Sequence, residues 1–144
     1  MANVIPDSFK TDLLKGTFNF DSSGGSTFKL ALYTDISGLT TSTAAFTATN
    51  EVGTSGTNYS SGGNALTNNG VSISSNIAFV DFADLTFSSV TLSAVGALIY
   101  KSSSGNEAVL VLDFGGTKTA TNGEFVVQFP TASNSAAIIR LGNA

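Results

Sequence analysis

The 144-residue chain contains no cysteine and no histidine. Without thiols there is no disulfide framework, and no thiolate for redox chemistry, metal binding or nucleophilic attack. Without imidazole the usual general base near neutral pH and the commonest transition-metal ligand are both missing. A Ser-His-Asp triad and any Cys/His zinc site are therefore excluded. Charge is scarce as well: charged residues make up 11% of the chain, against roughly 25% in an average soluble domain. With a net charge of -4 and six basic residues scattered along its length, the chain has no electrostatic footprint for a phosphate backbone, and no nucleic-acid partner is expected. No uninterrupted apolar run approaches the roughly 20 residues of a membrane span, so no membrane partner is expected. The opening MANVIPDSFKTDLLKG lacks a basic leader followed by an apolar stretch, and the chain is expected to begin where it is written.

What remains is apolar and small-polar. Hydrophobic residues stand at 42% and the mean hydropathy is +0.24. A surface so poor in charge suits a protein partly covered by partners, and equally one made polar by Ser, Thr, Asn and Gly. The length fits one domain over residues 1–144, and a domain of this size removes roughly 68–70% of its unfolded surface from water.

One helical candidate lies at the start, in an N-terminal helix and arm over residues 1–16. Ile5, Phe9 and Leu13 recur at four-residue spacing with Leu14 alongside, Pro6 or Asp7 sits where a first turn begins, and Gly16 follows Lys15 as a stop. Such an apolar stripe either docks on the chain's own sheet or reaches into a neighbouring subunit. From Thr17 the period becomes two. Residues 17–20 and 26–34 read as strands, the second with Phe28, Leu30 and Leu32 on a buried side and Lys29, Ala31 and Tyr33 on the other.

Residues 35–70 form a long polar region with scattered large apolar residues, Phe46 and Tyr59 among them. A structureless loop of that size is unusual in one domain, so short strands within it, or support from a neighbour, are expected. It is the prime candidate for an interaction surface. Strands are then expected over 71–74, 77–81, 84–87, 90–92, 94–101, 108–114, 124–129 and 136–141, with polar turns at 102–106 and 115–123. Pro130 stops the penultimate strand. Eight or more short strands predict an all-β fold, an antiparallel β-sandwich of jelly-roll or Ig-like type with one short N-terminal helix.

The motifs that carry chemistry are weak. Gly115-Gly116-Thr117-Lys118-Thr119 lacks the spacing of a phosphate loop and reads as a hairpin turn. Asp81 and Asp84, with Asp113 or Asp21, could offer oxygens to calcium, but there is no calcium-loop pattern, and solvated strand ends explain them better. A glycosidase pair would need two carboxylates and usually aromatic platforms, yet there is no tryptophan and only Tyr33, Tyr59 and Tyr100. The eleven phenylalanines read as core. No catalytic residue, metal or cofactor is expected.

The opening VIPDSFK, the LKG step and the strand FKLALYT resemble a group of small virion structural proteins of tailed phages. NEVGTSGTNYSSGGNALTN is similar to a Glu-Val-x-Gly-x-Gly-Tyr segment of that group, with Thr57-Asn58 interrupting the step from Gly56 to Tyr59. AVGALIYKSSSG, VLDFGG and NGEFVVQFP continue the likeness, which spans most of the chain in the same order. The resemblance implies a capsid decoration, or cement, protein on the virion surface whose partner is the major capsid protein, and it carries over no catalytic residue. Symmetric seats on a shell favour homo-oligomers, with a trimer expected. Ile5, Phe9, Leu13, Phe46 and Tyr59 are the candidate interaction residues. The alternative is a tail or fibre module that recognises host-surface glycans, which exposed tyrosines lining a groove would favour.

Overall fold

The computed structural model describes residues 3–143, and the expected N-terminal helix is present but starts at Asp7, which leaves Ile5 of the four-residue spacing outside it. Helix α1 (Asp7–Leu14) starts after Pro6 at φ -61 and ψ 148, where a missing N–H costs nothing, and Asp7 lies in its first turn, favourable to the helix dipole. It ends because Gly16 adopts φ +79. There the Gly16 N–H reaches the Leu13 carbonyl at 3.1 Å and the Thr17 N–H the Asp12 carbonyl at 3.0 Å, which closes a Schellman cap.

Two antiparallel sheets follow. The larger has the order β2-β1-β5-β6, built from β1 (Phe28–Tyr33), β2 (Asn64–Ala65), β5 (Leu85–Lys101) and β6 (Ala108–Val127). The smaller has the order β3-β4-β7, from β3 (Asn68–Ser74), β4 (Ile77–Phe82) and β7 (Ile139–Leu141). The all-β, sandwich-like class with one short helix is as expected, while the strands differ from the expectation in number and length. Among the described residues there are seven, because the segments read as 84–87, 90–92 and 94–101 are one strand, and those read as 108–114 and 124–129 are another.

The polar turn expected at 115–123 is thus strand. Between the pairs Ala94–Lys118 and Gly96–Asp113 the β6 side carries extra residues, where Gly115 at φ +75 and Gly116 at φ +151 bulge out of the ladder. Ser89 at φ +54 and Asn122 at φ +50 mark further irregularities. Residues 17–20 form no ladder, although Phe18 and Phe20 are buried in alternation. Instead the Ser26 N–H binds the Asn19 carbonyl at 2.7 Å, and the Ser26 hydroxyl accepts the Asn19 N–H at 3.0 Å. The final strand is shorter than expected, starting at Ile139.

Around β1 and the adjoining parts of β5 and β6 the large sheet is buried on both faces, where β1 was expected to bury one. Phe28, Leu30 and Leu32 face a core closed by Phe9, Phe18, Phe20, Val80, Phe82 and Ile139, so α1 and the small sheet cover this side. Ala31, Tyr33, Leu98, Tyr100 and Val111 face a second core with Ile36, Leu39, Phe46 and Val4. The polar region is what covers that second side. The region contains β2 and single bridges of Tyr33 with Glu51 and Ala45 with Glu107, so short strands and its own apolar residues hold it in place.

Candidate interaction surface

Asp21, Asp81, Asp84 and Asp113 each accept a hydrogen bond from this chain and do not converge. Asp81 accepts from Asn69 at 2.9 Å, and Asp84 from the Phe129 N–H at 2.8 Å. The Gly115 N–H, donating at 2.8 Å, holds the Asp113 carboxyl below its usual range. Backbone and side-chain donation from Ser37 does the same for Asp35, and the Ser103 hydroxyl does it for Glu107. Asp21 accepts from the Ser23 N–H. Among the described residues no three acidic groups gather where they could hold a metal ion.

The five residues expected to make contacts are placed differently from one another. Phe9 is buried, with its ring 4.9 Å from that of Phe18 and 6.2 Å from that of Phe20, so the helix docks on its own core. Tyr59 is buried as well. Phe46 is half-buried and stacks on Tyr100 at 4.8 Å, inside the second core. Ile5 stays partly exposed and lines a groove with Leu112, Phe114 and Pro130. Leu13 sits at the rim of a second groove, and its neighbour Leu14 is 86% exposed.

The second groove points to a surface that the sequence reading did not single out. Residues paired directly across a ladder share a face, so Val71 with Val80, Ile73 with Ala78, Val80 with Ile139 and Ala78 with Leu141 define one apolar side of the small sheet. Near the core, Val80, Phe82 and Ile139 are buried. On the same side Val71 is 55% exposed, Ile73 74% and Leu141 63%, because β3 is the edge strand and the row of Ile73, Ala78 and Leu141 lies towards the β3–β4 turn. Leu13, Phe20, Val71, Ala78 and Leu141 line a groove of about 140 Å³ there. The alternation of Val71 and Ile73 with Ser72 and Ser74 shows a shared face, but period two cannot tell a covered face from a bare one.

Scattered exposed apolar residues are ordinary, whereas several on one continuous sheet face mark a contact surface. Covering each such side chain contributes at most roughly 1.5–3 kcal/mol. All three tyrosines, by contrast, are buried, so none lines an open groove as an aromatic platform. Comparison with protein-family models, with curated proteins and with solved structures gives no match.

Proposed function

We propose that this chain is a structural component of a tailed-phage virion, a decoration or cement protein that binds the major capsid protein on the outer shell and stabilises it by non-covalent contacts, without catalysis. The observation that carries the reading is the apolar side of the small sheet, where Val71, Ile73 and Leu141 continue a core face into solvent beside Leu13. The whole-chain resemblance to small phage virion proteins supports it, as does a chemistry restricted to carboxylate, lysine, tyrosine and hydroxyl groups. A protein with these means works by contact area. The glycan-binding alternative draws no support from Tyr33, Tyr59 or Tyr100, whose rings are inside.

The test adds the purified chain to expanded capsids that lack it. Saturable binding and a higher temperature of capsid rupture are expected. No binding, together with equal heat resistance of bare and complete capsids, overturns the reading.

A further inference from the structure

The bare backbone edge of β3 carries an inference that stands apart from the capsid reading. Strands β3 and β4 are joined by the two-residue turn Ser75-Asn76, with φ of +50 and +65 at these positions. Such a turn makes its flanking residues a hydrogen-bonded pair, and pairs alternate from there along an antiparallel ladder. Ser74 with Ile77 and Ser72 with Phe79 therefore exchange hydrogen bonds. The N–H and C=O groups of Val71 and Ile73 point the other way, out of the sheet, and among the described residues no backbone group outside β4 pairs with them.

Other sheet edges are protected. The outer side of β6 is capped by Val4 and Asn3 around Val111 and Asp113, and farther along it carries bulges at Gly115 and Asn122 together with Lys118 and Glu124. β7 is three residues long and bears Arg140, and β2 has two residues. These are the devices by which sheets block edge pairing. From Val71 to Ser74, β3 has no charge, no proline and no bulge.

We infer that β3 pairs antiparallel with β3 of a second copy about a two-fold axis at Ser72. The occupant is indicated by self-complementarity. With Ser72 facing its own copy, Val71 of one chain lies opposite Ile73 of the other, and the outward-directed groups of both meet in about four new backbone hydrogen bonds. The paired side chains are β-branched, which suits a cross-strand contact. Although each chain carries a net charge of -4, Asn68–Ser74 is uncharged, so no like charges meet across the axis. The product is one six-stranded sheet whose apolar sides are continuous. A two-fold dimer differs from the three-fold assembly expected for a shell seat.

Sedimentation equilibrium of the free full-length chain over a roughly hundredfold concentration range tests this. The unmodified chain is expected to form dimers. Val71→Lys combined with Ile73→Lys sets ammonium groups opposite each other in this register and should weaken the dimer by about tenfold or more. Val71→Glu combined with Ile73→Lys sets opposite charges together and should restore it in a salt-sensitive form. Both positions are exposed, and thermal melting of each variant verifies folding. A monomer throughout, a trimer, or a dimer indifferent to the paired lysines overturns the inference. Failure of the unmodified chain to bind capsids while it forms the dimer counts against the capsid reading alone.

Discussion

The hydroxyl of Tyr59 donates to Glu51 Oε1 at 2.8 Å and accepts the backbone N–H of Leu32 at 3.0 Å. It fills a ladder position on β1 between the β2 pairing and the Tyr33–Glu51 bridge, and so ties the long polar region to the central sheet. Glu51 also accepts the Gly62 N–H at 2.6 Å and the Ser61 hydroxyl at 2.8 Å. Tyr59→Phe leaves a buried donor without its partner and is expected to cost about 1–3 kcal/mol. In urea unfolding the midpoint should fall at an unchanged slope. An unchanged midpoint would remove this anchoring role.

The same burial sets the behaviour in alkali. Desolvation is the largest cause raising the hydroxyls of Tyr33, Tyr59 and Tyr100 above their ordinary range, with the nearby Glu51 carboxylate adding to it. A pKa raised by folding contributes stability that is complete below the unfolded value, roughly pH 10, and is lost as pH climbs towards the folded one. Because these are the only tyrosines in the chain, tyrosinate absorbance should stay low past that point and then rise together with loss of the circular dichroism signal. A graded rise centred on the ordinary tyrosine range would contradict the burial.

In acid the sign reverses. Glu107 is held below its usual range first by the Ser103 hydroxyl, within the turn between β5 and β6. A lowered folded pKa contributes stability above the unfolded value, and that stability is lost as pH falls through the folded one. Ser103→Ala should therefore move the Glu107 titration upward, as read by carboxyl NMR, and reduce the loss of stability between pH 5 and pH 3.

Gly63 has φ +71, and a Cβ built on it would overlap the Leu30 carbonyl of β1. Both the backbone region and the space demand glycine. Gly63→Ala should destabilise the fold by about 3 kcal/mol or more. Gly38→Ala, which meets nothing within 4 Å and has no positive φ, should stay within about 0.5 kcal/mol of the parent. Equal melting temperatures for the two variants would refute the close approach.

These residues also show what was legible in advance. The continuous apolar run at 94–101 announced a strand covered on both faces, and Gly16 announced the end of the helix. The covering of the other face of β1 was not legible, because it comes from Ile36 and Leu39 in a region whose composition is that of a loop. Nor was the continuity of β6, since Thr117, Lys118 and Thr119 lie on exposed strand and have the polarity of a turn. Large size and apolarity do not mark a contact residue, because Phe9 and Tyr59 share them with any core residue. What separates Val71 and Ile73 from them is where the domain body stops, which no local pattern records.

The helix offers a direct measure of that distinction. Phe9 and Leu14 occupy one short element and are both apolar, yet one is enclosed by Phe18 and Phe20 while the other is open to solvent. Phe9→Ala removes a buried ring and is expected to cost about 3–5 kcal/mol in the isolated chain. Leu14→Ser should change stability by no more than about 0.5 kcal/mol. Chemical denaturation of the two variants compares them under identical conditions. If Phe9→Ala proved silent, the ring would not be packed on this chain's own core, and the helix would instead be free to dock on a neighbouring subunit. If Leu14→Ser proved costly in the free protein, the leucine would already be covered there.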